Sequence, residues 1–453
     1  MVPWAKGFVP PSRQVARAAV GTFPGSRYAA TGADEIRSVG GTTCEAPRAG
    51  RSWDDGECFV GAGGSGWPPR AVPAPTDEAD WLAADVEEGQ TFNEYVSLCC
   101  TRSGRLKANR VPRGKTEILF LPITLGSAVD PAMPPLEELA SFASAYFGGA
   151  RVRVLESAKV ALEDASAGRV GAFASRSKGK IKLPAALGGG EGALSLRRGA
   201  RGRVSLHVDP LLGELARGLE RSGLSTCFAL VGVCTEIDLH SHPTDLFVAG
   251  MAAGGSGVAC FSFSRYHPHL RMSPEHWDDY GYAAKAASDV YYPDSKAARR
   301  RLALGDDVPS YDSLSGASKR LFKLRAAKLL THEILHLYGV DHCVNYRCLM
   351  QGTGHLREDF AAPVHLCPVD LRKLAWRNQF DVQRRHVALA AVLGSWGCAG
   401  DRDFYLARAR ALDAAIDLTA DARSDDDVID LTSPSPPAAR RKRRRSPSPA
   451  AGA

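Results

Sequence analysis

The chain has 453 residues, 44% of them apolar, which exceeds one ordinary domain and is enough to bury a sizeable core, so one large domain with appendages is expected. Six consecutive bases, Arg440 to Arg445, carry most of the formal net charge of +7; the rest of the chain is nearly neutral and its body gives no nucleic-acid signal. The longest strongly apolar run, Cys227 to Cys234, is far short of the roughly 18 residues that span a bilayer, and eleven scattered cysteines suit a reducing compartment rather than a disulfide scaffold.

Residues 1 to about 80 are rich in Gly, Pro and Ser with little periodicity and read as a mostly unordered extension. Lys6, Arg13, Arg17 and Arg27 without any acid in the first 33 residues are a bias shared with organelle transit peptides. Pro3, Pro10, Pro11 and Pro24 argue against the amphipathic helix such a peptide prefers. Asp77 to Tyr95 reads as helical, and Glu117 to Leu125, EILFLPITL, as the first central strand. Leu136, Leu139, Phe142 and Tyr146 recur at helical spacing, and Val152 to Leu155 reads as a strand. The Gly-rich, basic stretch from about 175 to 203 reads as a flexible insertion. Leu211 to Leu219 is a helix, Phe228 to Val233 a buried strand leading into TEIDL at 235–239, and Val258 to Tyr266, VACFSFSRY, alternates as an edge strand does. An edge strand offers unpaired N–H and C=O groups to an extended peptide. Arg271 to Gly316 reads as surface loop. A helix starting near Ser318 should turn Leu321, Leu324, Ala327 and Leu330 inward, and Cys367–Trp376 and Asp381–Leu393 should close the domain as helices.

Between Thr331 and Asp370 the chain reads as two metal sites sharing one loop. His332, Glu333, His336, Gly339 and His342 form H-E-x-x-H-x-x-G-x-x-H. Residues four apart lie on one helical face, so His332 and His336 can hold one ion. Gly339 is where the helix should stop, because Gly tolerates the left-handed conformation that turns the chain back and lets His342 supply a third imidazole. Three neutral imidazoles around zinc leave a fourth position for water, whose pKa falls to about 7. Glu333 is placed to take the water's proton and pass it to the leaving amine.

The run HEILHLYGVDHCVNYRCLM, followed by LCPVDLRKL, resembles the archaemetzincin signature, and the likeness extends over roughly residues 115–395. The resemblance implies an α/β zincin-like (metzincin) metallopeptidase domain, with a mixed sheet and a metal-binding helix. It further implies catalytic zinc on His332, His336 and His342, Glu333 as general base, Met350 in a turn beneath the ion, and a second, structural zinc on Cys343, Cys348 and Cys367. The fourth family cysteine is Asp370 here. Aspartate can ligate zinc at about 2.0 to 2.2 Å; Cys398 or His365 are alternative fourth ligands, and a vestigial site with three free thiols is the other reading.

After about residue 420 the composition changes. DDDVIDLT at 425–432 resembles a SUMO-interacting motif, in which Val428, Ile429 and Leu431 fill pockets, Asp430 and its neighbours face a basic rim, and the backbone adds as a strand. RRKRRR at 440–445, flanked by Pro and Ser-Pro, resembles a nuclear localisation signal read by an import receptor, with a nucleic-acid contact as the competing reading. The organisation expected is therefore an unordered 1–80, a peptidase domain over 81–400, and disordered termini with a regulatory tail at 420–453. The function expected is zinc-dependent hydrolysis of peptides or proteins in the nucleus, with the cytoplasm as a second location and no membrane contact. The alternative is a non-catalytic zinc-stabilised adaptor for SUMO-modified proteins, disfavoured because a scaffold does not need Glu333.

Overall fold

The apolar run Glu117–Leu125 forms β1, the strand on which the rest of the sheet is built. In the computed structural model, which describes residues 8–21, 27–38, 47, 51–54, 57–60, 67–76, 80–112, 114–126, 129–163, 176–198, 204–242, 247–268 and 309–417, helices α1 (Arg13–Ala19), α2 (Arg27–Ser38), α3 (Glu57–Val60), α4 (Trp81–Ala84) and α5 (Phe92–Cys99) precede it. Then come α6 (Leu136–Tyr146), β2 (Arg151–Val154), β3 (Ala158–Leu162), β4 (Arg176–Lys182), β5 (Glu191–Arg198), β6 (Val204–His207), α7 (Val208–Ser222), β7 (Cys227–Cys234), β8 (Ile237–His240), β9 (Gly250–Ala253) and β10 (Val258–Ser262). Helices α8 (Gly316–Leu337), α9 (Leu356–Ala361), α10 (Pro368–Asn378), α11 (Val382–Ser395) and α12 (Ala399–Asp417) complete the described chain.

The strands form one mixed sheet in the order β8-β6-β5-β4-β3-β1-β7-β10-β9, with β2 also pairing β1. Pro122 lies in β1, although proline cannot donate to a ladder. On one side β1 pairs β2 through Glu117–Phe120 and then β3 through Ile123–Leu125, so Pro122 falls where the partner changes and no donor is missed. One face of the sheet buries Leu121, Ile123, Val160, Ile181, Leu194 and Leu196 against α7. The other buries Phe120, Val231 and Phe261 against α6, α8 and the C-terminal helices.

Several expectations are corrected. The stretch 175–203 is not an insertion outside the fold: β4 and β5 pair antiparallel within the sheet, because Gly179, Ile181 and Leu183 alternate with exposed Lys178, Lys180 and Lys182, a period of two. Asp77–Tyr95 is not one helix; an extended strip, 85–91, separates α4 from α5, where Thr91 and Glu94 form a capping box that starts a new helix. Within 1–80, α1 and α2 pack Ala16, Ala19, Ala29, Ala33 and Ile36 into the core, where loop was expected. Strand β10 is flanked by β7 and β9, so the edge is β9. Leu321 is 40% exposed, because Phe322, Ala326, Ala327 and Leu330 take the inward stripe of α8. Helix α12, unforeseen, carries the folded body to Asp417. The loop reading of 271–308 and the tail readings at 425–432 and 440–445 lie outside the described residues.

Candidate metal centre

Helix α8 brings the first two histidines to the surface of the core, and the turn beyond its C-terminus supplies the third. Ser315 caps the start, its hydroxyl accepting from Ser318 N. At the other end Gly339 has φ +80°, and the Gly339 and Val340 N–H groups donate to the His336 and Leu335 carbonyls at 2.9 and 3.1 Å, a Schellman closure that only a residue tolerant of positive φ forms without strain. The turn also orients a ligand, since His336 Nδ1 donates to Val340 O at 2.8 Å. His332 Nδ1 donates to Leu349 O at 2.9 Å, and His342 Nδ1 to Glu87 Oε1 at 2.7 Å. With every Nδ1 engaged as donor, each Nε2 keeps its lone pair. These face one another: His332 and His336 Nε2 are 3.1 Å apart, and the three side chains offer nitrogens that all lie within 4.8 Å of one another. Burial, reinforced by the neighbouring imidazoles, holds His332 well below its ordinary pKa and His336 at about 4. Both are neutral at pH 7, the form that ligates metal.

Glu333, between the first two histidines, is the titratable group best suited to proton transfer. Burial, opposed by His342 and assisted by Asp359, pushes its carboxyl up to about 7, near the value a base working at neutral pH needs. The edge strand approaches it closely: a Cβ on Gly250 of β9 would lie 3.3 Å from Glu333 Cγ. Tyr266 donates its hydroxyl to half-buried Asp359, whose charge also acts on Glu333.

A second cluster follows immediately. Cys343, Cys348, Cys367 and Asp370 are all buried and offer ligand atoms within the same 4.8 Å limit. Cys343 and Cys367 Sγ are 3.6 Å apart, while Asp370 Oδ2 accepts from Cys348 Sγ at 3.3 Å and Cys367 Sγ at 3.4 Å. Its other oxygen accepts from Lys373 Nζ at 2.8 Å. Neither Cys398 nor His365 belongs to this group; His365 stacks on Phe404. Hydrogen bonds from Cys348 and Cys367 hold the Cys343 thiol low, whereas burial raises Cys348 and Cys367 and lifts Asp370 to about 6.

The model of Peptidase family M54 matches residues 308–375, from ahead of α8 through the second cluster. Archaemetzincin-2 of Rattus norvegicus is 27% identical over 325 residues, covering 71% of this chain and 74% of its own length. These matches support a zinc metallopeptidase related to the archaemetzincins. Archaemetzincin-2 of Homo sapiens is 26% identical over 314 residues, 69% of this chain and 71% of that protein. The solved archaemetzincin of Methanopyrus kandleri, 18% identical, covers 58% of this chain and 96% of its own with a TM-score of 0.30.

The seven ligand candidates named from the sequence thus fall into two groups, as their order on the loop suggests, with Glu333 beside the first. Four neighbours escaped the sequence reading. Glu87 and Trp81 touch His342, and Asp80 pairs with His355 at 2.9 Å. The one available signal was Thr91-x-x-Glu94, which separates 85–91 from the helix that follows and frees it to cross the site.

Proposed function

We propose that this chain hydrolyses peptide bonds at a zinc ion held by His332, His336 and His342, with Glu333 as general base, and that Cys343, Cys348, Cys367 and Asp370 hold a second, structural zinc. The observation that carries the reading is the convergence of three imidazoles, each fixed through Nδ1, beside a buried carboxyl whose pKa stands at about 7. When bound, zinc acidifies water and polarises a carbonyl. Glu333 accepts the proton of the attacking water and returns it to the amine that leaves. Strand β9, the sheet edge beside Glu333, offers unpaired main-chain groups on which an extended substrate can lie. The direct test pairs metal analysis with digestion of a peptide library. The expected result is two zinc ions per chain and cleavage products that vanish in Glu333→Gln; cleavage by that variant at the parental rate would overturn the assignment of the base.

The tail supplies addressing. Val428, Ile429, Asp430 and Leu431 bind SUMO or SUMO-modified proteins, and Arg440–Arg445 engages an import receptor, making the protein nuclear with a cytoplasmic pool. The reading rests on an apolar run flanked by acids in a polar segment, followed by a basic run. Because α12 extends to Asp417, ten residues, 418–427, lie between it and the motif in sequence. Replacing Val428, Ile429 and Leu431 with Ala removes anchors contributing about 1.5–3 kcal/mol each when fully buried. SUMO binding should disappear at micromolar concentration and cleavage of a SUMO-conjugated substrate should fall, while hydrolysis of a short free peptide stays unchanged. Both activities falling together, or neither, would refute recruitment. Deleting 440–445 should deplete the nuclear pool; unchanged localisation would return that run to a nucleic-acid role.

A further inference from the structure

The three imidazoles are not held alike. His332 and His336 donate to main-chain carbonyls of the loop that their own helix leads into, at Leu349 and Val340. His342 donates to a side chain 255 positions away in sequence, Glu87. A carbonyl arrives automatically when the helix and its loop fold; a carboxylate on another segment arrives only if that segment docks. The docking is specific. Gln90 donates to Asp341 Oδ2 at 2.8 Å and to Gly339 O at 3.2 Å, so it grips the residues on either side of the turn into His342. Trp81 stands edge-on to the His342 ring at 5.4 Å.

At the far end, Asp80 accepts from His355 Nε2 at 2.9 Å, while the Glu358 carboxylate accepts the Trp81 N–H at 3.1 Å and the Gly354 N–H at 2.6 Å. Asp80, His355 and Glu358 lie close enough to suggest a third ion site. Their polar atoms are already committed to one another and to main chain, since His355 Nδ1 also accepts from Glu358 N at 3.2 Å. The trio is a clasp that fixes Trp81 and the start of the strip. Glu87 itself is half-buried, and its Oε1 lies 2.7 Å from His342 Nδ1.

We propose that Glu87 is a positioning residue for the third metal ligand, acting through His342, and that the segment 80–90, α4 with most of the strip after it, docks onto the His342 turn to bring it there. The inference rests on the three-histidine zinc site proposed above. A carboxylate on Nδ1–H fixes the tautomer, aims Nε2 and makes it a better donor to metal, which is the general effect of such partners on affinity. The family-model match begins at residue 308, so this element lies outside the segment that carries the metal motif.

The test measures zinc affinity of the full chain by chelator competition, together with the visible spectrum of the cobalt-loaded protein. Glu87→Ala should weaken zinc at the histidine site about 100-fold and alter the cobalt spectrum, and Glu87→Gln, whose amide oxygen still accepts, about 10-fold. Exposed Glu88→Ala removes the same charge one residue away and should change neither. Parental affinity and spectrum in Glu87→Ala would overturn the proposal; if that variant does not fold, the isosteric Glu87→Gln decides, with an unchanged affinity counting against it. His336→Ala separates the two levels. If the parent shows no zinc that His336→Ala removes, the metal site itself is wrong, whereas parental zinc lost in His336→Ala but retained in both Glu87 variants refutes only the role of Glu87.

Discussion

The two ligand clusters share one loop, since Cys343 follows His342 directly, yet they are built on opposite principles. The imidazoles are each partly exposed and held through Nδ1 by oxygen acceptors. The thiols and Asp370 are wholly buried, and their remaining polar atom is answered by Lys373, itself 1% exposed. Open geometry suits turnover; closed geometry suits holding the loop. The contrast also explains how aspartate can occupy the position of the fourth family cysteine. A thiolate has one donor atom, whereas a carboxylate brings a second oxygen that, buried and unpaired, would be costly. Three residues on, one helical turn away, Lys373 meets it. Asp370 and Lys373 thus form a buried pair in which both carboxylate oxygens have partners.

The largest effect that would sharpen this contrast lies on the open side. Glu333→Gln should lower kcat/KM by about a hundred- to ten-thousand-fold, the range that general acid–base groups supply, with zinc content unchanged because every ligand remains. Zinc lost in step with activity would mean that Glu333 supports the ion rather than the proton transfer. On the closed side the expected effect is on stability. Asp370→Asn leaves the Lys373 ammonium buried without its counter-charge, which should cost about 3–5 kcal/mol in urea unfolding. Adding Lys373→Met should recover much of that loss. For the same reason Asp370→Cys alone should melt lower than Asp370→Cys with Lys373→Met; equal melting temperatures would show that the two residues do not act as a pair.

Much of the open site was legible because its chemistry is written at fixed short spacings. His332, Glu333, His336 and Gly339 are set by one helix and its stop, and the offset to His342 is a single turn. Strands β1 and β7 were legible because they are central and mostly apolar. The parts that were missed are those in which tertiary contact overrides composition. Helices α1 and α2 bury mostly alanines, with Ile36 the one large apolar residue among those buried, and small side chains leave little periodic signal. Strand β4 shows lysine at every second position; its alternation was visible, but the basic and Gly-rich composition hid it. Glu87 had no local signal, since its role depends on a partner 255 residues away, and only the fold brings the two together.

The finest distinction between the clusters is in protons. Metal ligands must give up their protons before binding, so the number released reports their state in the metal-free protein. At pH 7 His332 and His336 are already neutral, because burial and neighbouring imidazoles depress them, and zinc should displace close to none from them. Burial raises Cys348 and Cys367 well above the ordinary thiol value, while Cys343 is held low; zinc entering that cluster should therefore release about two protons. The two sites should also respond differently to acid. Asp370, at about 6, takes up a proton as pH falls toward 5, so release from the closed site should rise by about one more, whereas His336, at about 4, stays unprotonated over the same interval. Calorimetric zinc titration in buffers of different ionisation heat measures both numbers, with His336→Ala isolating the closed site and Cys348→Ala the open one. Equal release from the two, or a count at the histidine site that climbs by two protons or more between pH 7 and 5, would mean that His332 and His336 are as wet as free histidine. The division into an open, preneutralised site and a closed, protonated one would then fail.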